Sequence, residues 1–160
     1  MDILTPKGQK TREQEREALT LFLETFPRYS FVETPKDKPS DLDGFVTRDG
    51  VIISGVEVKC RNMTASELRN KFDNRWLITA DKLDRCVNVC RSLCVDFRGF
   101  LYLVPDKMLI VVPIFSHEKG WLTEPIYDWT ETQATVNGGI AERLNAYVDV
   151  GHATSIVAAA

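Results

Sequence analysis

The stretch "GFLYLVPDKMLIVVPIF", residues 99–115, constrains the fold most. It is two almost unbroken apolar runs on either side of Pro105-Asp106-Lys107. Turn-forming residues between two runs of strand-forming side chains predict a hairpin or a tight strand pair. A strand with one wet face alternates apolar and polar residues; these runs do not, so both faces must be covered. Such strands need layers on both sides of a sheet. A chain of 160 residues has material for one unit with a full core and rather little for two.

Helical patterns supply the layers. Thr11, with Gln14 three residues later, forms a capping box that predicts a helix through about Thr25. Its apolar stripe is Ala18, Leu19, Phe22, Leu23 and Phe26. Winding at about 100° per residue puts Glu15 near the middle of that stripe and Glu24 on the opposite side. Pro27 stops the helix, "RYSFVET" reads as a short strand, and "PKDKPS" is a loop. Thr64 and Glu67 form a second capping box before a short helix. Thr79 is a candidate N-cap for a core helix of about four and a half turns, with Leu83, Cys86, Val87, Cys90, Leu93, Cys94 and Phe97 on one face. The cysteines read as small apolar residues of that face, because no Cys-x-x-Cys pair is present.

After Ser116 the pattern weakens. Asn137-Gly138-Gly139 reads as a turn and residues 140–148 as a helix. The expected organisation is a core over residues 1–114, with residues 115–160 an extension packed on the same domain. His117 and His152 have no partners at ligand spacing, so a zinc site is not expected.

The chain carries a net charge of −3, which gives no global positive field for nucleic acid or an anionic membrane. Any polyanion site must be local. Residues 59–91 hold eight basic side chains against four acidic, whereas residues 115–160 hold two against six. No apolar run is long enough to span a membrane and the first residues have no apolar signal-peptide centre, so the expected location is cytoplasmic, without membrane association.

The second informative stretch is "DLDGFVTRDGVIISGVEVKCR", residues 41–61, two β-rich runs folded about Asp49-Gly50, a strong hairpin signal. Residues two apart on a strand share a face, so Glu57 and Lys59 point one way while Val56, Val58 and Cys60 point the other. Asp41 and Asp43 share a face on the preceding run. A bulge near Ser54-Gly55 would bring Asp43 beside Glu57. If the Glu15 helix packs on this face, a third carboxylate joins. Buried carboxylates without partners are costly, and together they repel, so such a cluster asks for a cation. Hard oxygen donors suit Mg²⁺, and Mg²⁺ beside a lysine suits phosphodiester hydrolysis. The ordinary alternative is a loop ending at Asp41 and Asp43, with Glu57 and Lys59 paired on a solvated face.

These residues resemble the motif of the PD-(D/E)XK nuclease superfamily: a helix glutamate, an acidic residue on one strand, then (D/E)-x-K on the next. The likeness runs over about residues 11–105; it is strongest in residues 41–61, which are similar to small Holliday-junction-resolvase-type nucleases. It departs in lacking the proline: Ser40-Asp41 or Leu42-Asp43 stands where "PD" would. The resemblance implies an α/β fold with a mixed central sheet flanked by helices, restriction-endonuclease-like. It implies Asp43, Glu57, the Val58 carbonyl and Glu15 as metal ligands, Lys59 as the catalytic lysine and Asp41 as a helper. Mg²⁺ would be the cofactor, with Mn²⁺ as a substitute, and DNA the partner, in a possible homodimer. Among the basic residues, Arg61, on the Lys59 face, and Lys82, where related nucleases often carry a polar active-site residue, are the expected substrate contacts. Arg75 and Trp76 are further ones, Trp76 as a stacking or wedging ring. The competing expectation is a catalytically inactive module of the same fold, serving nucleic-acid binding or protein interaction.

Overall fold

The computed structural model describes residues 5–132 and 139–159. Asn137 and Gly138 of the expected turn lie outside them. The chain opens with helix α1 (Pro6–Thr25), strand β1 (Tyr29–Glu33), and the hairpin β2 (Gly44–Arg48) and β3 (Val51–Arg61). Helix α2 (Ala65–Phe72), strand β4 (Arg75–Thr79) and helix α3 (Ala80–Ser92) follow, then the hairpin β5 (Asp96–Leu103) and β6 (Met108–Ser116). The last quarter is β7 (Gly120–Trp121), β8 (Ile126–Thr132), β9 (Ala141–Asp149) and β10 (Thr154–Val157).

The central sheet has the order β1-β2-β3-β5-β6-β10, with β7 beside β6. Only β3 and β5 run parallel, which makes the sheet mixed, as expected. Parallel neighbours need a crossover, and the α2-β4-α3 segment supplies it. The unbroken apolar runs become β5 and β6, covered on both faces. On one face α1 packs Ala18 and Phe22 against Val46, Val56, Val58 and Phe100, the Phe22 and Phe100 ring centroids lying 4.7 Å apart. On the other, α3 and a small sheet of order β4-β9-β8 bury Trp76, Leu83, Cys86, Cys90, Leu101, Ala146 and Val148.

Several local expectations are corrected. Helix α1 begins six residues early: Thr5 accepts the Gly8 N–H at 3.1 Å and Pro6 takes the first helical position, where its missing N–H costs nothing. Thr11 is then interior and donates to the Lys7 carbonyl. Helix α3 stops at Ser92; Cys94 adopts φ 54° in an exposed turn and Phe97 belongs to β5, so the buried cysteines of that segment are Cys86 and Cys90. Residues 141–149 form a strand, not a helix. Register with β4 and β8 overrides local propensity there and buries Ala146 and Val148. Strand β4, "RWLIT", has a β-rich composition that the helical patterns on either side of it mask.

Candidate active site

Four elements converge at one edge of β3. The hairpin turns at Asp49 and Gly50, both with positive φ. Its register then jumps, because Val46 pairs with Ser54 but Thr47 with Ile52, which leaves Ile53 as the extra residue of a bulge. The bulge lies one residue from the expected position and performs the expected task. Gly44 now faces Val56, and Asp43, just beyond the end of β2, lies beside Glu57. The Asp43 N–H donates to the Val56 carbonyl at 3.0 Å, and Asp43 Oδ2 accepts the Val58 N–H at 2.7 Å. A residue's N–H and C=O leave a strand on the same edge, so the Val58 carbonyl also faces this edge, past the end of β2.

Glu57 is completely buried. Its Oε1 accepts a hydrogen bond from Lys59 Nζ, and Lys82 Nζ, from the first turn of α3, lies 3.1 Å from Oε2. That second contact is an ion pair without hydrogen-bond alignment, so Oε2 is a buried acceptor with no aligned donor among the described residues. Lys82 also donates to the Ser40 carbonyl at 3.2 Å, tying α3 to the loop before β2.

Glu15 arrives from the other side. Helix α1 packs on the Val56/Val58 face, not the Glu57 face, so Glu15 does not join Glu57 across a shared surface. It reaches the bare edge of β3 through Lys36, whose Nζ is 3.8 Å from Glu15 Oε2 and 3.1 Å from Asp43 Oδ1. Lys36 is the residue that sequence reasoning missed. Its signal was a lysine in the loop just before the Asp-x-Asp motif.

The electrostatics follow from this packing. Burial, then the Asp43 charge, raise the Glu15 carboxyl above its ordinary pKa. Burial also raises Glu57, with Lys59 pulling the other way. Burial would raise Asp43 too, but Lys36, Lys59 and the Val58 N–H outweigh it and hold the group low. Lys59 is disfavoured as a cation by burial, yet Glu57 and Asp43 raise it, so its ammonium stays protonated.

Other expected residues stand apart. Asp41 turns toward α3, where Arg85 Nε lies 3.3 Å from its carboxylate and the Cys86 thiol donates to its carbonyl at 3.0 Å. It anchors the loop and does not touch Asp43's partners. Arg75 is half exposed and pairs with Asp73 at 3.6 Å. Trp76 is 2% exposed and is not a free wedge: its six-membered ring fills the space over Gly99 that a Cβ would occupy. Arg61 continues the Lys59 face along β3. It donates to the Cys60 carbonyl at 3.3 Å and has no carboxylate partner among the described residues.

Two carboxylates, a strand carbonyl and a third carboxylate behind them form a set of hard oxygen donors, the chemistry that suits Mg²⁺. The buried Glu57 carboxylate and the mutual repulsion of Glu15 and Asp43 both call for positive charge. Among the described residues, no three His, Cys, Asp or Glu side chains already enclose one point. Glu57 is drawn to Lys59 and Lys82, and Asp43 to Lys36 and the β3 backbone, so ammonium groups now supply that charge.

No protein-family model matches the sequence, and no curated protein does. Among solved structures, the chain is similar to Hjc, a Holliday junction resolvase from the archaeal hyperthermophile Archaeoglobus fulgidus. The identity is 17% over 64% of this chain and 74% of that one, with a TM-score of 0.46. Among the described residues no helix is long and apolar enough to cross a membrane.

Proposed function

We propose that the protein is a divalent-metal-dependent phosphodiester hydrolase. More particularly, it is a nuclease of the restriction-endonuclease-like kind acting on DNA. One observation carries this reading: the hydrogen bond from the Val58 N–H to Asp43 Oδ2 seats a carboxylate from just before β2 between Glu57 and Lys59 of β3, on the side of β3 where the pairing with β2 has ended.

In this reading Asp43, Glu57 and the Val58 carbonyl hold Mg²⁺, or Mn²⁺ in its place, with Glu15 behind them. When bound, the ion polarises a phosphodiester and lowers the pKa of a water. Lys59, kept protonated by Glu57, orients the attacking water and offsets charge developing on phosphorus. Lys82 steadies Glu57, and Arg61 meets a neighbouring phosphate of the strand being cut. Asp41 holds the loop that carries Asp43.

One observation favours the second reading, a module of this fold that binds without cutting: Lys59 already rests on Glu57, the posture of a purely structural ion pair. Supercoiled plasmid and branched DNA, incubated with Mg²⁺ or with EDTA, separate the two. The hydrolase cuts only with Mg²⁺ and loses at least 100-fold in rate as Glu57→Ala or Lys59→Ala. A wild type that cuts nothing, or variants that cut equally well, refute it.

A further inference from the structure

We propose that the cavity beyond Lys59, bounded by α2, β4 and β9, receives one unpaired nucleobase of the substrate strand. This deepens the nuclease reading and rests on it. The cavity has a volume of about 460 Å³ and is open to solvent. That is within the range of about 300–1,000 Å³ of pockets that take small organic molecules.

Its walls are apolar and partly aromatic: Met63, Leu68, Phe72, Leu77 and Tyr147. Phe72, 48% exposed, leaves a ring at the opening where a base can stack. Trp76 also lines the cavity, and its buried indole N–H has no acceptor among the described residues. Asp128 lines it too, with no hydrogen bond or ion pair to its carboxylate among them, and can accept an exocyclic amine.

One cation sets the charge preference. Arg61, Lys71, Arg75, Asp73 and Asp128 all contribute to the lining, but Lys71 pairs with Glu67 at 2.9 Å and Arg75 with Asp73 at 3.6 Å. Arg61 is half-buried without a carboxylate partner, and such a guanidinium calls for an anion from outside the chain. Position then connects the cavity to the chemistry. Arg61 lies on the same face of β3 as Glu57, four residues on, roughly 13 Å at 3.3 Å per residue. A strand whose phosphate lies at Lys59 thus runs along β3 to Arg61 and can turn a neighbouring base into the cavity.

The test measures fluorescence anisotropy of the full chain in EDTA, where nothing is cut. The ligands are a blunt duplex, the same duplex with a short unpaired tail, and one whose tail has abasic sugars. The base-bearing tail is expected to bind about tenfold tighter than the blunt duplex, and the abasic tail is expected to lose that gain. Phe72→Ala loses it too; Leu77→Ala repeats the measurement should Phe72→Ala fail to melt cooperatively. Equal binding of base-bearing and abasic tails overturns the proposal, because phosphates alone then account for affinity. So does displacement of a cavity-bound apolar dye by decanoate but not by tailed DNA, which assigns the cavity to an anionic amphiphile. A protein that grips tails as expected yet never cuts with Mg²⁺ refutes the nuclease reading alone. One that cuts duplex and ignores tails refutes the pocket alone.

Discussion

Asp43 and Val58, fifteen residues apart in sequence, are joined by a hydrogen bond of 2.7 Å from backbone N–H to carboxylate. The same bond ends β2's hold on β3 and aims a charge at the site. Asparagine keeps the acceptor but loses the charge, whereas alanine loses both. Asp43→Asn is therefore expected to melt within about 1 kcal/mol of wild type, while Asp43→Ala loses about 1–3 kcal/mol by leaving a half-buried N–H unpaired. Both should lose at least 100-fold in Mg²⁺-dependent cleavage. Urea melts paired with plasmid cleavage check this, and an active Asp43→Asn would sink the ligand role.

Lys82 and Glu57 should show strong coupling. Removing Lys82 leaves a buried carboxylate with Lys59 alone, so Lys82→Met is expected to cost about 1–3 kcal/mol. Made on top of Glu57→Gln, the same change should cost much less. A double-mutant cycle from urea melts measures the difference, and additive costs would mean that the 3.1 Å contact contributes nothing to stability.

Tyr102 gives an alkaline signature. Its hydroxyl donates to Glu17 at 3.0 Å, and burial followed by that hydrogen bond raises the phenol to about 12. The unfolded phenol ionises near 10, so the raised value adds stability that is fully present below about pH 10 and is lost as pH rises through about 12. Tyr102→Phe should flatten the fall in melting temperature between those limits, and tyrosinate absorbance of the wild type should show a late phase that the variant lacks. An identical alkaline fall in both proteins counts against it.

Gly99 faces Glu57 across the parallel pair, and a Cβ there would come within 2.0 Å of the Trp76 ring. Gly99→Ala is expected to lower stability by about 1–3 kcal/mol through overpacking. A thermal melt equal to wild type would show that Trp76 can shift without cost.

Much of this arrangement was legible because short-range rules govern it. Asp49-Gly50 specifies the hairpin, alternation separates Glu57 and Lys59 from Val56 and Val58, and apolar continuity marks β5 and β6. What escaped reading depends on distant partners. Nothing local says that α1 chooses the Val56 face, so Glu15 could be placed on its helix but not on a side of the sheet. Lys36 acquires its role only when the loop folds between Glu15 and Asp43. Residues 141–149 look helical until β4 and β8 offer ladders on both sides, and Trp76 looks available until Gly99 makes room for its ring.

The pairing of Arg75 with Asp149 across β4 and β9 also sets an order of events. A nascent chain displays Glu15, Asp43, Glu57 and Lys82 well before β9 leaves the ribosome to close over Trp76. During that interval these side chains are present without the frame that steadies them, so the edge they form takes its final shape only once β9 has joined β4.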